Sequence, residues 1–139
     1  MRHSHFAELR DFIVLLSARP RALFLLNATV LITHQIDAAF WHEWELFRIP
    51  GGNQVNLLLN LPIIGLVLYA QSQVAGGSGR APALYKLIAY LGFLTVAVHA
   101  GFFVAGSATF VQPVSIALLA ATAVLSCLQL VALRGRGRA

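Results

Sequence analysis

The chain has 139 residues and a formal net charge of +5, with 58% apolar and only 11% charged residues, where soluble domains carry about 45–50% and about 25%. A soluble domain of this length would lack the polar surface to cover itself, which excludes an ordinary soluble enzyme. The basic residues sit at the chain ends and in one loop, not along an aromatic-studded face, so nucleic acid is not an expected partner; the lipid bilayer is.

In chain order, residues 5–18 place Phe6, Leu9, Ile13 and Leu16 on one helical stripe, with Glu8, Arg10 and Asp11 mostly off it. Two readings stay open: a short amphipathic helix lying in the interface and ended by Pro20, or the start of the first span. The first apolar run leads into Gln35, Asp37 and Trp41 without a small-residue cleavage site, so no signal peptide is expected.

Spans are expected at residues 22–45, 55–74, 84–105 and 114–133. Each reaches the ~20 residues that cross the hydrocarbon, the first only by including polar residues. The fold class is therefore all-α, a four-helix membrane bundle in a single domain over residues 1–139, with no internal repeat of the kind alternating-access transporters carry. Cys127 is the only cysteine, so no intramolecular disulfide can form.

Every lysine and arginine except Arg48 falls before the first span, around the second loop or after the fourth span. The positive-inside rule then places both termini in the cytoplasm. Trp41, Trp44 and Phe47 land at the outer headgroup level, and Tyr85 and Tyr90 near the inner one. Small residues at Ala97, Gly101 and Ala105, and at Ala117 and Ala121, are spaced to let helix backbones approach. Asn27, Thr29, Ser126 and Gln129 read as polar contacts between helices.

With topology set, the helical rise of ~1.5 Å per residue puts Asp37 roughly 6–10 Å below the outer tryptophans and His34 roughly 10–15 Å below. His99 and Asn60 reach a similar level, about 9 Å into their spans. At about 100° per residue, His34, Asp37, Trp41 and Glu45 share one face of the first helix, with His42 to its side and Glu43 on the back. Pro62 leaves a carbonyl without its helical donor near Asn60. Ionisable groups at such depth cost several kcal/mol unless paired, so they are expected to face the interior.

Three readings of this layer compete. His34, Asp37 and His99 can hold a divalent metal, zinc or iron, with one position open. His34 and His99 can instead be axial ligands of a haem between two spans. Or the layer is a hydrogen-bonded network, or a pocket without metal. Asn60, Trp41, His42 and Glu45 complete the expected pocket. The HEWE string lacks the second histidine of a zinc-protease motif, and no nucleophile elbow, phosphate loop or cysteine pair is present. The leading expectation is a binding or accessory membrane protein holding a metal or small ligand. The rivals are a metal-dependent membrane enzyme acting on a lipid-like substrate, with Asp37 or Glu45 as base, and a structural subunit packed on a membrane partner or a second copy.

The segment THQIDAAFWHEWELF, residues 33–47, resembles a family of small bacterial multi-span membrane proteins of unknown function. In that family the first span ends in an H-E-[LI]-D-A pattern, followed by a basic or His residue and Glu-Trp. His34, Asp37, Ala38, His42, Glu43 and Trp44 match, while Gln35 replaces the usual glutamate and removes one carboxylate. The resemblance implies a bacterial cytoplasmic membrane and no particular activity.

Overall fold

The computed structural model describes the backbone of residues 2–107 and 111–136 and the side chains of 19–107 and 111–134. Five α-helices follow one another: α1 (Arg2–Phe40), the short α2 (Glu43–Leu46), α3 (Gly52–Ala75), α4 (Ala81–Val104) and α5 (Pro113–Arg136). Among the described residues there is no strand. Four helices are long and apolar enough to cross a membrane, over Arg19–Phe40, Gly52–Ala75, Ala81–Val104 and Pro113–Arg134. At ~1.5 Å per residue each 24-residue helix is about 36 Å long, enough for a hydrocarbon layer of about 30 Å.

The four long helices form a ring. α1 and α4 each pack against both α5 and α3, and meet more narrowly across the diagonal, whereas among the described residues α3 and α5 make no contact. Phe24, Ala28, Leu31, Val67, Ala70, Val74, Tyr85 and Ile88 form the apolar core.

Burial is inverted relative to a soluble protein. Leu57, Leu58, Leu61, Leu68, Val104 and Val131 are exposed, whereas Asn27, His34, His99, Ser115, Thr122, Ser126 and Gln129 are buried. In water this arrangement would be costly on both counts. Against lipid it costs nothing outside, and polar groups find partners inside. Asn27 Nδ2 donates to Ser126 Oγ at 3.1 Å and to Gln129 Oε1, tying α1 to α5. Thr29 was expected to join such contacts, but its hydroxyl donates to the Leu25 carbonyl of its own helix.

The structure decides between the two readings of residues 5–18 and departs from two other local expectations. α1 runs unbroken through Pro20, so residues 5–18 continue that helix; their side chains, and the amphipathic stripe expected on them, lie outside the described residues. The stripe Ala97, Gly101, Ala105 is exposed, and open space faces Gly101. The close approach is at Gly92 instead, where an added Cβ would run into Ser126 Oγ and lie 3.1 Å from Thr122 Cγ2. Pro62 is exposed, so it sits on the outward side of α3, away from the interior.

At one end of the bundle the chain reverses over the helix ends. α1 stops at Phe40 rather than carrying on to residue 45. The Trp41 amide donates to the Asp37 carbonyl at 3.0 Å, and His42 then adopts a left-handed conformation (φ 56°, ψ 45°). Non-glycine residues occupy that region at a cost of roughly 1–2 kcal/mol. After α2, Arg48 (φ 54°) and Gly51 (φ 103°) complete the reversal. The burial of Trp44 under this cap anchors it against the bundle.

Candidate metal centre

The cap decides what reaches the polar layer. The left-handed step at His42 resets the helical frame, so Glu43 and Trp44 turn inward while His42 and Glu45 turn out. The latter pair at 3.6 Å with most of both side chains exposed.

His34 from α1 and His99 from α4 are each 2% exposed. Their rings meet edge to face with centroids 4.7 Å apart. Glu43 brings its Oε1 to 3.5 Å from His99 Nε2. One ligand atom from each of these three residues lies within 4.8 Å of the other two.

The tautomer of His99 follows from its neighbour. His99 Nδ1 lies 2.8 Å from the Thr95 carbonyl oxygen, which can only accept. Nδ1 therefore carries the hydrogen and donates it, and Nε2 is the nitrogen turned to Glu43. A nitrogen lone pair and a carboxylate oxygen at 3.5 Å need a cation or a proton between them. Imidazoles that bind metals are oriented this way, by a hydrogen bond from the far nitrogen to a carbonyl. The 3.5 Å between His99 Nε2 and Glu43 Oε1 also fits, since two ligands each ~2.1 Å from a tetrahedral zinc lie about 3.4 Å apart. His34 Nδ1 is buried and, among the described residues, has no hydrogen-bond partner.

Burial pushes the Glu43 carboxyl above the usual carboxylate range. The nearby Asp37 carboxylate pushes the same way and the His99 ring opposes it. Glu43 thus holds a proton more tightly than a solvated glutamate, and a metal would displace that proton.

A cavity of about 250 Å³ opens on these groups, with His34, Glu43, Trp44, Asn56, Asn60 and His99 among its walls. Asn60 Nδ2 donates to both the backbone carbonyl and Oδ1 of Asn56, at 3.0 Å each. Asn56 Nδ2 and Asn60 Oδ1 remain without partners among the described residues.

Of the expected site residues, His34, His99 and Asn60 meet in this cavity. Asp37 stands beside it, its Oδ2 buried without a partner among the described residues, and does not belong to the cluster of three. Trp41, His42 and Glu45, expected at the mouth, are not among the lining residues. Sequence reasoning misses Glu43, Trp44 and Asn56; about 100° per residue puts Glu43 on the back of a helix that in fact ends before it. The haem reading loses its geometry, because axial ligands stand on opposite faces of a macrocycle and these two rings touch.

Fold and site define an all-helical bundle with four helices able to span a membrane and a buried cluster of two histidines and a carboxylate at one end. The chain belongs to a family of unknown function (DUF6713), whose model matches residues 20–136. No curated protein and no solved structure matches it.

Proposed function

We propose that the protein is a multi-pass protein of a bacterial cytoplasmic membrane that binds a divalent transition metal, zinc or iron, through His34, Glu43 and His99. The observation that carries this reading is the approach of three ligand atoms to within 4.8 Å of one another, with His99 oriented from behind by Thr95. Two imidazoles and a carboxylate suit either metal and leave a position open. Arg19, Arg21, Arg80, Lys86 and Arg134 lie toward the end opposite the cluster and Arg48 beside it, which supports cytoplasmic termini and a site in the outer half of the bilayer. In this reading Asp37 supports the site electrostatically instead of binding the metal. It also favours, as the second reading, a metal-dependent enzyme acting on a lipid-like substrate, because a buried carboxylate oxygen without a partner can serve as a base.

Metal analysis of the detergent-purified protein tests the proposal. Wild type is expected to carry or take up one zinc or iron per chain, and His34→Ala and His99→Ala to lose it while keeping their helical content. A wild type that takes up neither metal, with variants that merely melt earlier, would make the layer a structural network.

A further inference from the structure

A second cavity, of about 290 Å³, lies among α1, α3 and α4. Leu31, Val67 and Leu91 are among its walls, which are aliphatic apart from Gln35 and Thr95. Gln35, Ile63, Leu94 and Thr95 also line the cavity at the metal centre, so the two are adjoining chambers with a common wall. The Thr95 hydroxyl donates to the Leu91 carbonyl at 3.0 Å, which leaves little polarity at the junction. Ile63 and Leu94 are themselves 43% and 58% exposed, so the seam between α3 and α4 opens sideways, where a chain could enter from the bilayer.

The two chambers differ in chemistry. One is hydrocarbon-lined. The other holds His34, Glu43 and His99, and beside them Asn56, which is 9% exposed. Asn56 Oδ1 accepts from Asn60, and its Nδ2 has no partner among the described residues. An amide nitrogen can only donate, so it calls for an acceptor. A metal held by three protein ligands calls for a fourth, commonly an oxygen. A volume near the lower end of ligand pockets, about 300 Å³, suits one hydrocarbon chain better than the two of a phospholipid.

We propose that the two chambers together bind a single-chain amphiphile, a long-chain carboxylate. Its chain lies in the aliphatic chamber, and its carboxylate faces the centre and accepts from Asn56 Nδ2. The head half of this inference rests on the metal reading; the chain half does not.

The test uses the full-length protein in detergent with palmitic acid carrying a mid-chain diazirine, irradiated and mapped by peptide mass spectrometry. Adducts are expected around Leu31, Val67 and Leu91, suppressed about tenfold by excess unlabelled palmitate. Leu94→Trp, at the exposed seam between α3 and α4, should suppress them similarly. Val67→Phe should do the same from inside the chamber. Removing the metal with a chelator, or offering the alcohol of the same chain length, should weaken binding about tenfold. Labelling spread over outward residues such as Leu61, Leu68 and Val104, uncompeted and indifferent to Leu94→Trp, would overturn the proposal. So would competed labelling in a metal-loaded protein that is indifferent to both chelator and headgroup. Competed labelling of the chamber in a wild type that never takes up metal would support the chain site and overturn the metal reading alone.

Discussion

The choice between Glu43 and Asp37 as the carboxylate ligand can be forced by two isosteric substitutions. Glu43→Gln keeps the side chain's size and removes its charge. The Gln amide can donate to His99 Nε2 across the 3.5 Å that now separates that nitrogen from Glu43 Oε1, so the metal-free fold should survive. Metal affinity should not. Loss of one of three ligands is expected to weaken binding by at least about tenfold, and each tenfold is about 1.4 kcal/mol. Because metal binding stabilises the folded state in proportion to its affinity, the rise in melting temperature produced by added zinc should shrink accordingly. Asp37→Asn, outside the cluster of three, should keep most of the metal.

The pH dependence supplies a second readout with a definite sign. Without metal, the folded protein holds the Glu43 proton more tightly than the unfolded chain does. Stability from this group is therefore full below the ordinary glutamate value of about 4.3, and is lost as pH rises from there through the raised folded value. Glu43→Gln should flatten that decline. With saturating zinc the sign reverses, since metal displaces the proton and zinc-induced stabilisation grows with pH. Melting curves in one detergent from pH 4 to 8, with and without zinc, measure all of this. If Asp37→Asn abolished the zinc response while Glu43→Gln left it unchanged, the assignment of Glu43 would be refuted.

Two further outcomes test the frame around the site. Gly92→Ala should lower stability by about 1–3 kcal/mol through overpacking, since the new methyl meets Ser126 and Thr122, whereas Gly101→Ala, facing open space, should be neutral; equal melting temperatures would mean that α4 and α5 do not meet at Gly92. Reporter fusions after Leu133 and within Gly76–Gly79 should both report cytoplasm, and fusions near Gly51 or Gly106 the outer side. A cytoplasmic signal from Gly106 would overturn the orientation.

The bundle was legible in the sequence because span length and apolar content are local properties. His34, Asn60 and His99 were legible for a related reason: polar groups inside apolar runs are conspicuous, and depth along a helix follows from residue count. Glu43 was not. Continuing the first helix to residue 45 carried it to the far side, and the break after Phe40 has no glycine or proline to announce it. The nearest are Pro50, Gly51 and Gly52. A weaker signal was present. Arg19–Phe40 already supplies 22 residues of span, so a helix running to residue 45 exceeded what the bilayer requires by including charged groups. The stripe of Ala97, Gly101 and Ala105 misled in another way. Small residues permit close approach on any face, and only the partner's side chains decide which face is used; here Thr122 and Ser126 chose Gly92.

One buried stripe of α1 carries both of the bundle's polar layers and shows how they differ. Phe24, Asn27, Ala28, Leu31, His34 and Ala38 are all buried, at the spacing of a single helical face. Asn27 spends its amide directly across the interface on Ser126 and Gln129. Such contacts contribute about 0.6 kcal/mol on average between membrane helices, up to about 1.7 kcal/mol. The His34 layer lies about 10 Å further along the same helix, and it borders a cavity. His34 Nδ1, Asp37 Oδ2, Asn56 Nδ2 and Asn60 Oδ1 are buried without hydrogen-bond partners among the described residues, and all but Asp37 belong to walls of one cavity. Open atoms alone do not separate the layers, since Asn27 Oδ1 and Gln129 Nε2 are also buried without partners among the described residues and each such atom costs about 1–3 kcal/mol; what differs is that three of those in the His34 layer border one cavity. Their convergence on a shared space, with two imidazoles and a carboxylate among its walls, is the arrangement expected where something else completes the set.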